Sequence, residues 1–259
     1  VVDAITGQEL DQRRRVIEKY EPLYKERQAH AKEVGKIERE WRKDRKNKEL
    51  TEKRNAMRQK LRDMDNELKP YYEAAKPFTH GTNGWASPTP TTDGKNVYVF
   101  YGTGVAAAYD MDGNRVWIRE VQRPTHNWGH SASPVLVDGK LIIAVRDVYA
   151  LEPASGEVLW KAASKPHWGT PVGAEVDGAP VVITCEGQIL DAASGQELST
   201  DLPSLQWNTP LVVGDRVYTV DSRRGLQCHK LPTTPDGKPE QLWQTKPKGR
   251  LGRTYASPV

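Results

Sequence analysis

A short signature recurs along this chain at near-regular intervals: an aromatic residue followed closely by Ser-Pro or Thr-Pro. It stands at Trp85-Ala-Ser-Pro88, Trp168-Gly-Thr-Pro171, Trp207-Asn-Thr-Pro210 and Tyr255-Ala-Ser-Pro258, with a looser copy from Trp128 to Ser133-Pro134. The aromatic positions lie 43, 40, 39 and 48 residues apart. Turn glycines keep the same interval. Gly113, Gly156, Gly195 and Gly237 each follow Asp or Ser and are spaced 43, 39 and 42 apart, with an outlying copy at Gly7. Between these markers, short β-branched and aromatic runs alternate with turns such as Asp93-Gly94, Asp138-Gly139 and Asp177-Gly178, the pattern of tight hairpins between twisted strands. Repeats of about 40 residues with four short strands each predict an all-β fold, a β-propeller in which each repeat makes one four-stranded blade.

One unit serves as the template, with an inner strand over Ser131–Val137, a second over Lys140–Arg146, a third over Val148–Leu151 and an outer one over Glu157–Lys161. The same layout fits 87–120, 170–200 and 209–244, so four complete blades are expected. Residues 1–10 match only the last two strands of a unit, and 255–259 only the start of one. An open ring leaves strand edges unpaired. More chain, or a second polypeptide, is therefore expected to complete it.

The interval from Gly7 to Gly113 is 106 residues, 63 more than one repeat. Its excess has a different composition: Asp11 to Lys69 holds 20 Lys/Arg and 13 Asp/Glu, a local charge of +7 within a chain of net +4. Apolar residues recur there in steps of three, four or seven, at Ile17, Tyr20, Tyr24, Ala31, Val34 and Trp41, then at Leu50, Met57, Leu61, Met64, Leu68 and Tyr71. That spacing predicts two amphipathic helices. The polar run Asp44–Lys48 reads as the tip of an antiparallel, coiled-coil-like hairpin, with irregularities at Pro22 and Gly35 and an end at Pro70. The layout is thus 1–10 the end of a blade, 11–78 an inserted helical hairpin, and 79–259 the blades. The charges of the hairpin are read as a solvated surface laced with i,i+4 pairs, or as an arm that docks a protein partner or a second copy. A nucleic acid is not expected, because 20 cations stand against 13 anions without paired exposed aromatics.

Charge and apolar content exclude other classes. No apolar run approaches the ~20 residues of a membrane-spanning helix, and Val1–Leu10 shows no charged segment followed by an apolar stretch. Cys185 and Cys228 lie 43 residues apart without CxxC or CxxCH, which argues against a zinc site, a c-type haem or a disulfide scaffold. Both fall in predicted strands and read as buried thiols. The polar candidates cluster by position. His80, Asn83, His126, Asn127, His130, His167, Gln206, Asn208 and Arg253 all fall at or just before successive inner strands, a face on which propeller loops converge toward the axis. Imidazoles meeting there would hold a metal or an anion; the plainer reading is that each fixes a loop backbone within its own blade. His30 and His229 read as structural or solvated. Asp3, Asp110, Glu152 and Asp191, just ahead of the turn glycines, read as turn caps. With no Gly-x-Ser-x-Gly, P-loop or HExxH, no catalytic residue and no metal ligand is assigned.

The segments Val2-Asp-Ala-Ile-Thr-Gly-Gln-Glu-Leu10, Ala150-Leu-Glu-Pro-Ala-Ser-Gly-Glu-Val-Leu-Trp160 and Leu190-Asp-Ala-Ala-Ser-Gly-Gln-Glu-Leu198 resemble the repeat of the PQQ-like, quinoprotein-alcohol-dehydrogenase-like propellers. The resemblance implies that the Trp of each repeat stacks between neighbouring blades. Trp117, Trp160 and Trp243 hold that position, and Asp11 and Ser199 replace it elsewhere. Enzymes of this family bind pyrroloquinoline quinone with calcium and resemble one another in an adjacent cysteine pair, which is absent here. A calcium cage of several oxygens is not evident either. The resemblance therefore leans to the non-catalytic branch, typified by the propeller lipoprotein of outer-membrane barrel assembly. That branch implies an exported protein of the periplasm or cell envelope, no cofactor, and a scaffold for protein partners. The alternative is a ligand-binding or redox enzyme of the quinoprotein-like class that uses the central His/Asn-lined funnel.

Overall fold

The computed structural model describes residues 7–71, 83–124, 126, 128–165, 168–205, 207–221, 224–234, 237–245 and 257. The chain divides into two compact units, Val1–Lys76 and Pro77–Val259.

The first unit is a helical hairpin. Its Glu-, Lys-, Arg- and Gln-rich sequence has high helix propensity and forms α1 (Gly7–Lys43) and α2 (Lys48–Leu68), followed by a 3-10 turn at Lys69–Tyr71. Arg42 and Lys43 end α1, where cations favour the helix dipole. The tip lies where the polar run placed it. Asn47 caps α2, its side chain accepting from the Leu50 N–H at 3.1 Å. Neither Pro22 nor Gly35 ends the helix, since α1 runs through both. Pro22 removes one backbone donor on an exposed face, and the flanking turns of a 37-residue helix carry across that single loss.

The seam is narrow. Tyr20, Val34 and Leu68 are buried, and Leu23, Tyr24 and Tyr71 pack against the Tyr20–Leu68 contact. Trp41, Met57, Leu61 and Met64 are half-buried, as the stripe predicts; the Ile17 side chain lies outside the described residues. Polar links supplement it across the helices. Arg27 donates twice to the Asp65 carboxylate, at 2.8 and 3.3 Å, and His30 Nε2 donates to the Met57 carbonyl at 2.8 Å.

Gly7–Leu10, expected to close an outer strand, instead belong to α1. Gln8, Glu9 and Leu10 are good helix formers running directly into the Arg- and Glu-rich helix, and propagation of a long helix outweighs a two-strand match with no sheet beside it in sequence. Residues 1–6 lie outside the described residues.

The second unit contains four antiparallel sheets of four strands, each in sequential order. The first blade is β1 (Thr91–Thr92), β2 (Asn96–Tyr101), β3 (Val105–Asp110) and β4 (Arg115–Glu120). The second is β5 (Val135–Val137), β6 (Lys140–Ala144), β7 (Val148–Leu151) and β8 (Val158–Ala162). The third is β9 (Val172–Val176), β10 (Ala179–Ile183), β11 (Ile189–Asp191) and β12 (Glu197–Ser199). The fourth is β13 (Leu211–Val213), β14 (Arg216–Asp221), β15 (Gly225–Lys230) and β16 (Glu240–Thr245). This is the all-β propeller the repeat predicts, accompanied by its helical hairpin.

Turn chemistry sets the register. At the β5–β6 and β9–β10 hairpins both central residues have positive φ, Asp138 (48°) with Gly139 (68°) and Asp177 (52°) with Gly178 (73°), the two-residue turn that matches strand twist. Every blade also carries a register shift between its third and fourth strands, which increases local twist. The core lies between blades rather than within them. Tyr98, Phe100, Ala106, Ala108 and Trp117 of the first blade interleave with Leu141, Ile143, Val145, Tyr149 and Leu151 of the second. Equivalent clusters join the second blade to the third, and the third to the fourth.

Candidate functional site

The inner strands are shorter than the repeat predicted, and the reason places the candidate face. Residues 131–134 are not strand; their polar groups reach the neighbouring blade instead. The Thr89 N–H donates to Ser133 Oγ at 2.9 Å, Ser133 N–H to Thr170 Oγ1 at 3.0 Å, Thr170 N–H to Thr209 Oγ1 at 2.9 Å, and Thr209 N–H to Ser257 Oγ at 2.9 Å. Each of these residues precedes a proline. A proline cannot donate to a ladder, and the residue before it is held extended, so the Ser/Thr hydroxyl and amide are free to face sideways. In the first blade the relay uses Thr89-Pro90, two residues beyond the Ser87-Pro88 that the repeat singled out. The second Thr-Pro in Ser87-Pro-Thr-Pro90 was the available signal.

The sequence candidates on this face act as loop clamps where the structure describes them, and mostly between blades rather than within one. Asn83 Nδ2 donates to the Trp128 carbonyl at 2.7 Å, while Asn83 Oδ1 accepts from Ser87 Oγ. His126 Nδ1 accepts from the Trp128 N–H at 3.2 Å, and its ring stands edge-on to Trp168 of the third blade at 4.7 Å. Trp168 Nε1 in turn donates to the Gly129 carbonyl at 3.2 Å. His130 is buried, donates from Nε2 to the Ala132 carbonyl at 3.1 Å, and meets Phe100 of the first blade edge-on at 5.1 Å. Burial pushes its pKa down to about 4, only partly countered by that carbonyl. Asn208, also buried, donates from Nδ2 to the Val220 carbonyl at 2.7 Å. His80, Asn127, His167, Gln206 and Arg253 lie outside the described residues.

Farther from the axis, the repeat tryptophans seal two of the seams. Trp117 Nε1 donates to the Pro153 carbonyl at 2.7 Å and Trp160 Nε1 to the Ala192 carbonyl at 3.0 Å. Their rings press on the turn glycines of the next blade, so a Cβ on Gly156 would sit 2.7 Å from Trp117 and one on Gly195 2.5 Å from Trp160. Trp243 holds the same place in the fourth blade and tilts against Tyr218 as Trp117 does against Tyr98. It is 39% exposed, against 9% and 8% for Trp117 and Trp160. Val213 repeats the contrast, at 57% exposed against 7% for Val137 and 2% for Val176 at the equivalent hairpin position.

Other polar groups fix turns and seams. Asp110 and Asp191 accept backbone N–H bonds across their turns, and their pKa values are lowered chiefly by the side chains of Asn114 and Ser194. Gln122 accepts from the Arg146 and Asp147 N–H groups and donates to the Asp147 carboxylate, a bridge between the first and second blades that the repeat did not reveal. Burial acts to raise the Asp147 pKa, but hydrogen bonds from Lys161 and Gln122 outweigh it and lower the value. Cys185 and Cys228 are buried in different blades, and burial pushes the Cys185 thiol up to about 12. Among the described residues no three His, Cys, Asp or Glu side chains converge. Among the described residues, Asp110 and Asp191 are engaged as turn caps, and Cys185 and Cys228 lie apart in different blades. A cavity between the second and third blades, bordered by Arg146, Asp147, Lys165 and Cys185, measures about 10 Å³, close to the space of one water.

A family model described as outer membrane protein assembly factor BamB matches residues 77–233. Among solved structures, BamB from Moraxella catarrhalis is 20% identical, with a TM-score of 0.41 over 57% of this chain and 45% of its own. The computationally designed Ika4 protein is 12% identical, with a TM-score of 0.45 over 59% of this chain and 95% of its own. The designed Ika8 protein is 14% identical, with a TM-score of 0.41 over 56% and 46%. The chain spans less than half the length of the Moraxella structure. Among curated proteins no sequence matches.

Proposed function

This chain belongs to the family of the outer membrane protein assembly factor BamB, and on that premise we propose that it is a non-enzymatic propeller scaffold whose helical hairpin is the contact for a protein partner. The supporting observation is a groove of about 250 Å³ along the hairpin. Leu23, Met64 and Leu68 form its floor, and Glu26, Asp63 and Glu67 with Lys60 its rim. An apolar floor with a net acidic rim suits a segment that presents apolar side chains flanked by Lys or Arg. The charged side chains of the rim are exposed and can meet a partner without breaking the Tyr20–Leu68 contact beneath. In the same reading the protein is exported to the periplasm or cell envelope and takes no cofactor. The bare Trp243 and Val213 surface is the seat of a further blade.

The test is a photo-crosslinking residue in place of Lys60 in the cells that make this protein. A discrete protein adduct is expected, and Glu26→Lys with Glu67→Lys should abolish it while far-UV circular dichroism stays unchanged. Absence of any adduct, or an adduct indifferent to the charge reversal, would sink the reading. Fractionation of the same cells tests export.

A further inference from the structure

The excess charge of the hairpin is densest at its tip. Of the 20 Lys/Arg and 13 Asp/Glu over residues 11–69, the 13-residue stretch 42–54 around the tip holds seven and three, whereas the other 46 residues hold thirteen and ten. Arg42, Lys43, Arg45, Lys46, Lys48 and Lys53 are all exposed. The turn that presents them is firmly tied. Thr51 Oγ1 donates to the Asn47 carbonyl at 2.8 Å and accepts from Trp41 Nε1 at 3.1 Å, next to the Asn47 cap. The Arg54 guanidinium lies 4.1 Å from the centre of the Trp41 ring and that of Arg45 5.4 Å. Trp41, the one aromatic residue near the tip, is thereby engaged at both its N–H and its ring. Among the described hairpin residues no large apolar side chain is exposed.

We propose that this tip rests on an anionic phospholipid surface, held by its cations alone. A protein interface needs a desolvated centre rich in apolar and aromatic groups, and the tip offers none. Binding of single-stranded nucleic acid relies on aromatic platforms for the bases, and Trp41 is already covered by arginine. A bilayer of acidic headgroups requires neither. It presents a flat array of phosphates to a convex, preorganised cluster, and each Lys or Arg near such a surface adds roughly a fivefold gain in partition. The contact would be superficial, because nothing at the tip can insert into hydrocarbon. The inference is independent of the groove: one end of the hairpin would touch lipid while the shaft holds the partner.

The test uses the 259-residue chain and sedimentation with vesicles of phosphatidylcholine, with or without phosphatidylglycerol at about a third of the lipid. Partition is expected to be at least about 100-fold greater on the anionic vesicles at low salt, and to drop more than about tenfold in 0.5 M salt. Arg45→Glu/Lys46→Glu/Lys48→Glu should abolish it. Lys32→Glu/Lys36→Glu/Arg39→Glu makes the same change in net charge on the shaft and should retain most of it. Equal loss in both triple variants would reduce the effect to net charge and overturn the proposal. So would partition unaffected by phosphatidylglycerol, or tighter binding to a 20-base-pair duplex than to vesicles at equal phosphate, which would make the tip a nucleic-acid contact instead. Loss of lipid binding leaves the Lys60 adduct untouched, so failure of either idea can be told from failure of the other.

Discussion

His130 is wedged at the seam of the first two blades, against Phe100. Its imidazole is buried between the first two blades and held neutral. In the unfolded chain its pKa returns to about 6.5. Because the folded value is the lower one, the associated stability is fully present above about pH 6.5 and is lost as pH falls toward 4. A shift from 6.5 to about 4 corresponds to about 3 kcal/mol. Urea unfolding of the wild type and His130→Leu between pH 4 and 7 measures it; the wild type should lose about 3 kcal/mol more than the variant over that range. Parallel curves would mean that His130 charges freely in the native state. Glycine positions allow an equally direct comparison. Gly178 and Gly195 share a φ of +73°, but a Cβ meets nothing within 4 Å at Gly178 and lies 2.5 Å from Trp160 at Gly195. Gly178→Ala should cost about 1 kcal/mol for the backbone alone, and Gly195→Ala at least about 1 kcal/mol more from overpacking. Equal losses would show that the Trp160 ring moves aside at no cost.

At the scale of elements, the hairpin was legible because helical periodicity acts through near neighbours. The three- and four-residue steps placed Val34, Trp41, Met57 and Leu68 on inner faces, and the run Asp44–Lys48 located the turn. The cap is local too. Asn47→Ala removes the acceptor for the Leu50 N–H and should cost about 1 kcal/mol, seen as faster amide exchange in the first turn of α2; protection equal to the wild type would mean that another group caps the helix. The strands were less legible at their ends. Ser131 and Ser133 look like strand residues, but their hydrogen bonds run to Trp168 and Thr170 of the next blade, and nothing in the local pattern distinguishes a ladder bond from a sideways one. Gly7–Leu10 differ in the opposite direction: they match the end of a repeat, yet they continue directly into α1.

At the scale of the molecule, the blades are coupled at two radii, by hydroxyls near the axis and by tryptophan farther out. Nearest-neighbour coupling of this kind makes stability a sum over repeats and their interfaces. Thr170 sits in the middle of the relay, accepting from Ser133 and donating its own N–H to Thr209. Thr170→Val keeps the shape but leaves the Ser133 N–H without its acceptor, which should cost about 1–3 kcal/mol, and Thr170→Ser should restore most of it. Calorimetry would read both; an unchanged melting temperature in Thr170→Val would show that solvent replaces the bond freely.

The sequence by itself determined the repeat, the blade count within these residues, the hairpin and the positions of the seam tryptophans, because each depends on periodicity or on turn residues acting over a few positions. Only the tertiary structure decided what those residues do. It put the Trp117 and Trp160 rings on Gly156 and Gly195 of the next blade, and it set Asn83 against Trp128, His126 against Trp168 and His130 against Phe100, residues 45, 42 and 30 positions apart. The physical reason is that a repeat specifies a blade through local contacts, whereas a seam depends on which two blades meet, and that partnership is written only in three dimensions.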